Sequence, residues 1–442
     1  MSLLDNCIKF SLDIKEQNII FTGFHHEDQQ KIYEAELIQP ACPHCGSINI
    51  CHNGHYRSKV HYISADSSRP VIIDLHKQRV ICRDCHQNSM ASTTLVNKYC
   101  FISNQAKHKV QMALTEDRAM TSIATETNVS ANTVQRQLNA FDEYFRHNFN
   151  YLPLHLAFDE FRGVGHQLHF IYLDSDNHQI QQILPDHNKN TIIKYFKKFS
   201  LLTRQRVKTV SVDLNSYYPD IIRKVFPKAQ IIVDRFHLVQ MVNRSFNQLR
   251  IQTMKRYEKH SMTYRLLKSP WKLYLKSYDD LEKTKVFYNR HLRDRLTEEH
   301  IITDGIQASP LLTNTYWSTQ GFRKAIKEHD GPSLKEIIND DQDVCEALST
   351  NYRTFREHLQ AVMNATKYHY SNSPLEGVNR KIKQIIRTSY GVQNYHNLVI
   401  QVTTNMTTLI VDYCQQPNNH QISFDEKPTD KKLPIKQQES IK

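Results

Sequence analysis

Two sets of residues in this sequence have the types and spacing to do chemistry. The first is a pair of C-x-x-C elements, Cys42-Pro43-His44-Cys45 and Cys82-Arg83-Asp84-Cys85, with 36 residues between them. Two thiolates spaced this way can turn back onto one ion, and two such turns complete a tetrahedral four-thiolate zinc site. Gly46 suits the tight turn after the second thiolate. The separation exceeds the ~15–20 residues of the usual template, so a zinc ribbon with a long internal loop is expected. A closed site has no open coordination position, and no catalysis is assigned to it. The competing reading makes one pair redox-active or incidental, with Cys51, His52, His44 and His86 nearby as substitute ligands. The second set is acidic. Asp159 and Glu160, Asp213, and Asp234 each end an apolar run, and His237 lies three residues past Asp234. Carboxylate oxygens are the ligands that hard divalent cations prefer.

Those acids need elements to position them. The apolar runs at 154–161, 166–173 and 179–184 read as strands. A helix follows at 192–199, a strand at 207–213, a helix near 217–226 and a strand at 230–234. The order β-β-β-α-β-α-β is that of a ribonuclease-H-like fold, in which acids at the ends of adjacent strands gather at one edge. Glu160 points to the opposite face from Asp159 if the strand continues, which gives it a structural or supporting role. Residues 239–365 are helical in texture and read as an all-α insertion, with Trp271 and Trp317 in its core rather than stacked on bases. Ser373-Pro374-Leu375-Glu376 opens a helix expected over 374–387. It is also a capping box with Pro at the first helical position, so Glu376 has a capping role as its alternative.

Upstream, residues 103–147 read as helical. Ile123, Val134 and Leu138 are spaced to pack one helix across another, and Asn128 can take the left-handed conformation of a three-residue turn. Ser130 or Asn132 can cap the second helix. This is a helix-turn-helix pattern, with Asn132, Thr133, Gln135 and Arg136 at the start of a DNA-reading helix. A generic helical hairpin has the same spacing.

Composition limits the partners. Across 442 residues there are 57 Lys and Arg against 45 Asp and Glu, a formal charge of +12, which suggests a polyanionic partner. No G-x-G-x-x-G or G-x-x-x-x-G-K-[ST] occurs, which removes support for a nucleotide loop. No apolar run approaches the ~20 residues that span a bilayer, and the first residues do not form a signal peptide. A cytosolic location is expected.

Taken together, Phe158-Asp159-Glu160-Phe161, Val212-Asp213-Leu214 with Tyr217-Tyr218, Asp234-Arg235-Phe236-His237-Leu238-Val239, and 373–383 with its Glu376 make the sequence resemble the DDE transposases of bacterial insertion sequences, most closely the ISL-three type. Tyr390-Gly391-Val392 also fits, and the resemblance covers roughly residues 40–412. It implies a multidomain α+β protein. Its parts are an N-terminal region over 1–100 with a zinc ribbon at about 40–90, a helix-turn-helix domain over 101–150, and a ribonuclease-H-like catalytic domain over 151–414 with its insertion at about 239–365. The polar tail over 415–442 is expected to be disordered.

The resemblance also implies the chemistry. Asp159, Asp213 and Glu376 would hold two Mg²⁺ or Mn²⁺ ions that support DNA cleavage and strand transfer. One structural Zn²⁺ would sit on the four cysteines. Asp234 and His237 would serve local hydrogen bonding or target positioning, with metal ligation by Asp234 as the alternative. Arg380, Lys381, Lys383 and Arg387 would contact phosphates. The partners would be double-stranded DNA, at the element's inverted repeats and at the target, and further copies of the chain in a dimer or larger assembly. The competing functions are a catalytically inactive DNA-binding regulator and a stand-alone nuclease.

Overall fold

The computed structural model describes residues 3–63, 69–142, 148–214, 217–340, 343–389 and 394–406. Tyr390-Gly391-Val392 and the tail over 415–442 lie outside the described residues. The chain divides into two compact units. One comprises 1–116 and 121–137, and the other 117–120 and 138–406, among the described residues. The division falls inside a helix.

The first unit begins with α1 (Leu3–Leu12) and β1 (Ile19–Glu27), β2 (Gln30–Leu37), β3 (Ile50–Tyr62), β4 (Val71–Cys82) and β5 (Asn88–Met90). The sheet order is β1-β2-β4-β3, with β5 also paired to β4. β4 is long enough to hold β2 along Val71–Lys77 and β5 along Arg79–Ile81. Its apolar residues Val71, Ile73 and Leu75 pack with Ile19, Phe21, Leu37 and Val60 and with Ile8 and Leu12 of α1. The apolar runs at 71–75 and 80–82 therefore belong to one continuous strand. The antiparallel β3 was not legible, because 50–62 is rich in His and polar residues and has little apolar alternation before Val60. α2 (Asn104–Leu114), α3 (Met120–Thr127) and α4 (Ala131–Ala140) follow. Asn128 takes φ 52° between α3 and α4, and Ser130 Oγ accepts the Thr133 amide hydrogen at 3.2 Å.

The second unit is built on β6 (His155–Arg162), β7 (Leu168–Asp174), β8 (Ile180–Leu184), β9 (Thr209–Val212) and β10 (Gln230–Val233). Its order is β10-β9-β6-β7-β8. β6, β7 and β8 form an antiparallel meander, and β9 and β10 extend it in parallel. The crossovers use α5 (Lys189–Phe196), α6 (Leu201–Gln205) and α7 (Tyr218–Val225). α8 (Arg235–Met254) leaves β10 and is followed by α9 (Met262–Lys268), α10 (Trp271–Tyr274), β11 (Phe287–Asn289), β12 (Asp294–Leu296), α11 (Glu298–Ile306), α12 (Pro310–Lys327), α13 (Gly331–Asn339), α14 (Glu346–Glu357) and α15 (Leu359–Lys367). α16 (Ser373–Thr388) and α17 (Tyr395–Met406) then return to the sheet.

The insertion is not all helix, because β11 and β12 pair as an antiparallel hairpin. Phe287, Leu292 and Leu296 bury that hairpin against Leu266 and Ile301, a local apolar cluster too small to read from the sequence. Trp271 and Trp317 are 42% and 43% exposed, so neither is the core residue expected.

The alternation of β6 sorts its two faces. Leu156 and Phe158 enter the large cluster with Phe196, Tyr218 and Val242. Ala157 and Phe161 enter a second cluster with Leu375, Val378, Ile382 and Ile385 of α16. Those four positions on α16 recur at three- and four-residue steps, the spacing of one helix face. α16 is thereby held against the sheet face that carries Asp159.

Candidate active site

Strand register sets the acids in one row. β6 pairs β9 as His155↔Thr209 through Ala157↔Ser211. Extending that register two residues puts Asp159 level with Asp213. β9 pairs β10 up to Val212↔Val233, so the next step puts Asp213 level with Asp234. The Asp234 amide donates to the Val212 carbonyl at 3.0 Å, which holds that level.

His237, in the first turn of α8, reaches back over this row. Its Nδ1 lies 3.0 Å from Asp213 Oδ1 and 3.1 Å from Asp234 Oδ2. The Asp213 hydrogen bond, with the Asp234 hydrogen bond second, raises the His237 pKa to about 10. His237 is therefore an imidazolium at neutral pH, which compensates the buried Asp234 and its neighbour. Asp159 behaves in the opposite way. Burial, reinforced by the charge on Asp213, pushes its pKa up to about 7. The Glu160 amide donates to Asp159 Oδ1 at 2.7 Å, and Asn379 Nδ2 donates to Oδ2 at 2.6 Å.

Glu160 faces the other way. Its Oε1 accepts hydrogen bonds from the hydroxyls of Tyr217 and, at 2.9 Å, Tyr218. Glu376 stands exposed in the first turn of α16. No side-chain cap hydrogen bond forms at that helix start, so the capping-box alternative does not occupy Glu376. Asn372, 2% exposed, is the residue at the N-cap position. The helix positions 372, 376 and 379 follow steps of four and three, so Glu376 lies on the same stripe as the two asparagines.

Among the described residues, Asp213, Asp234 and His237 offer ligand atoms within 4.8 Å of one another; Asp159 and Glu376 are not part of that tight group. Asn372 and Asn379 were not singled out in the sequence. The signal that could have found them is their spacing around Glu376.

Of the four cations expected on α16, Arg380, Lys383 and Arg387 are exposed. Lys381 is different: its ammonium pairs with Asp117. In α4, Asn132 and Arg136 are exposed and Gln135 is half-buried. Thr133 corrects the expectation of a surface position. It is 5% exposed, and its hydroxyl lies 3.0 Å from Ser130 Oγ and accepts from Arg136 Nη2 at 3.1 Å. The hydroxyl at this third residue is spent within the helix start.

The cysteines form a second, separate cluster. Cys42 Sγ lies 3.5 Å from Cys85 Sγ, and Cys45 Sγ lies 3.5 Å from Cys82 Sγ. Zn–S bonds of about 2.3 Å in a tetrahedron place sulfurs about 3.8 Å apart, so the four thiols suit a structural zinc. Each knuckle closes alike, with the Gly46 amide donating to the Cys42 carbonyl at 2.9 Å and the His86 amide to the Cys82 carbonyl at 3.0 Å. Gly46 and His86 both take positive φ, 75° and 60°. Asp84 ties the knuckles together by accepting from Ser47 Oγ and, at 2.9 Å, from Asn49 Nδ2. Two of the substitute ligands are engaged elsewhere: Cys51 Sγ accepts from Arg83 Nε at 2.8 Å, and His52 pairs with His55 at 3.3 Å.

Comparison with known proteins places these features. Residues 156–402 match the DDE family of the ISL3 type, described as Transposase. Residues 38–85 match the zinc-finger of transposase IS204/IS1001/IS1096/IS1165. The transposase for insertion sequence element IS1001 of Bordetella parapertussis is 22% identical over 253 residues, 56% of this chain and 60% of that protein. A Lactococcus lactis protein named as an ATP-dependent protease is 27% identical over 183 residues, 41% of this chain and 55% of that protein. The matches thus span less than two thirds of these relatives. Among the described residues, no helix is long and apolar enough to cross a membrane.

Proposed function

The chain belongs to the ISL3-type DDE transposases with an N-terminal zinc ribbon, and on that premise we propose that it recognises the inverted repeats of its insertion sequence and catalyses DNA cleavage and strand transfer at Asp159, Asp213 and Glu376. The observation that carries this reading is the seating of α16. Its buried face fixes it on the sheet, and Asn372 and Asn379 on either side of Glu376 reach Asp213 and Asp159. Glu376 therefore stands between the residues that touch the other two carboxylates. The two-stranded extension beside a three-stranded meander has the order of a ribonuclease-H-like sheet, which supports the same reading.

Divalent ions at the carboxylates would supply activation of the attacking oxygen and charge neutralisation at the leaving oxygen. The donor set fits Mg²⁺ or Mn²⁺, because it is all oxygen and includes the uncommitted Glu376. His237 holds Asp213 by its imidazolium and fixes the start of α8. Asp234, buried and shared between His237 and the Asn372 amide, acts as a positioning group rather than a ligand. Water attack would free a 3′-hydroxyl, which then attacks target DNA. Exposed Arg380, Lys383 and Arg387 on α16 would bind phosphates beside that chemistry.

We further read α3, the Asn128 turn and α4 as a helix-turn-helix, with Asn132, Gln135 and Arg136 facing DNA. The left-handed Asn128 and the Ser130 cap support it. Cleavage of duplexes bearing the element's ends tests the whole reading. Asp159→Asn, Asp213→Asn and Glu376→Gln should each bind such ends and fail to cut them. A Glu376→Gln protein that cuts at the wild-type rate removes Glu376 from the site. A wild-type protein that binds the ends and never cuts makes the chain a DNA-binding regulator.

A further inference from the structure

Asn372 occupies the N-cap of α16, a position where Asn usually spends its side chain on a helix amide. Here it makes no such bond. Its Nδ2 turns to the sheet instead, donating to the Phe158 carbonyl at 3.0 Å and to Asp213 Oδ1 at 3.3 Å. Its backbone amide donates to Asp234 Oδ1 at 3.3 Å. One buried residue therefore joins β6, the end of β9 and the end of β10 to the helix that carries Glu376. Two turns further on, Asn379 Nδ2 donates to Asp159 Oδ2 at 2.6 Å.

The orientation of both amides is fixed by chemistry. Turning either one over would set a carbonyl oxygen against carboxylate or carbonyl oxygens. That leaves Oδ1 of Asn372 and Oδ1 of Asn379 buried with no hydrogen-bond partner among the described residues. A buried amide oxygen without a donor is destabilising. Two such orphans flanking one acidic row call for a hydrogen-bond donor that this row would attract.

We propose that Asn372 and Asn379 are positioning residues of the metal centre, whose amide nitrogens hold Asp213 and Asp159 and whose orphan oxygens accept hydrogen bonds from the water shell of a divalent cation. The inference rests on the proposed metal site at Asp159, Asp213 and Glu376 and extends it to residues that are not carboxylates. Partners that hydrogen-bond ligating carboxylates typically change metal affinity by about 10–100-fold when removed.

The test is Mn²⁺ binding to the full-length, zinc-loaded chain without DNA, read as loss of the free-ion electron paramagnetic resonance signal. Asn379→Ala keeps a good helix former in mid-helix. Asn372→Ser keeps a preferred N-cap residue but cannot reach both Phe158 and Asp213. Each should weaken Mn²⁺ binding about tenfold or more, with zinc content and melting midpoint close to wild type. Asp213→Asn serves as the reference for loss of the centre. Mn²⁺ affinity within twofold of wild type in both folded asparagine variants, where Asp213→Asn loses it, overturns the role of the asparagines alone. Should Asn372→Ser fail to fold, Asn379→Ala decides. A wild-type chain whose Mn²⁺ binding is absent, or indifferent to Asp159→Asn and Asp213→Asn, overturns the metal reading and the asparagine role together.

Discussion

The cysteine cluster and the acidic row both gather side chains that are distant in sequence, yet they are built on different principles. Each half of the cysteine site is a local turn. Two thiols and the amide that closes the turn come from five consecutive residues, and β3 and β4 need only bring two such turns together. The acidic row has no local half. Asp159, Asp213 and Asp234 come from three strands, and Glu376 from a helix 163 positions past Asp213. The first site has four identical donors spaced to suit one ion. The second has donors of differing burial and protonation, with an exposed Glu376 at its edge. The four-thiol cluster is closed on itself, whereas the acidic row is open at Glu376.

Removing the metal from each site is the broadest way to break the comparison. Structural zinc contributes on the order of 10 kcal/mol in small zinc domains. Cys82→Ser should reduce zinc from about one ion per chain toward none. It should also abolish cooperative melting of the first unit, read by calorimetry. Zinc content unchanged in both Cys82→Ser and Cys42→Ser would end the four-thiolate site. By contrast, Asp159→Asn, Asp213→Asn and Glu376→Gln should leave zinc and folding in place. They should slow cleavage by at least ~10³-fold, about 4 kcal/mol of barrier.

A subtler difference lies within the acidic row, between Asp159 and Asp213. The Asp159 pKa is raised to about 7, so the folded state retains a proton that the unfolded chain has lost. Stability of the wild type therefore falls as pH rises from about 4 to about 7. Asp159→Asn should remove that penalty and stabilise the fold at pH 8 in buffer without added divalent ions by on the order of 1–3 kcal/mol, with a higher melting midpoint. Little change is expected at pH 4. Asp213→Asn should act in the opposite direction, because it takes away the first partner of His237. With the His237 pKa at about 10, the stability lost is full below about 6.5 and vanishes as pH rises through 10. Melting curves of both variants between pH 4 and 10 check the signs; shifts in the same direction at pH 8 would refute this assignment of charges.

The smallest effect separates the two knuckles themselves. His86 holds the left-handed position that Gly46 holds in the other knuckle, at φ 60° against 75°. His86→Gly should stabilise the first unit by up to about 1 kcal/mol by removing side-chain crowding, partly offset by the entropy of an added glycine. Gly46→Ala should destabilise by a similar amount. A melting midpoint lowered by His86→Gly would mean that the imidazole has a role that its exposed position does not reveal.

The sequence by itself determined the short-range features. The cysteine spacing, the left-handed Asn128, the apolar runs ending in acids and the Pro-led start of α16 all depend on neighbours within a few residues. Backbone sterics and side-chain period act at that range. Strand β3 escaped because its partners, not its own alternation, make it a strand. Trp271 and Trp317 were misplaced because a helix pattern shows which residues are apolar, not how much surface a neighbour covers. Thr133 was misplaced because the Ser130 cap draws its hydroxyl inward.

Only the tertiary structure decided which acids stand level, since a parallel register is fixed by packing between strands that are 54 and 21 residues out of step. It alone turned Asn372 away from its cap and set Asn379 on Asp159. It also put a proton on His237 and raised Asp159. Those states depend on burial and on charges a few ångströms away, and neither quantity exists along an extended chain.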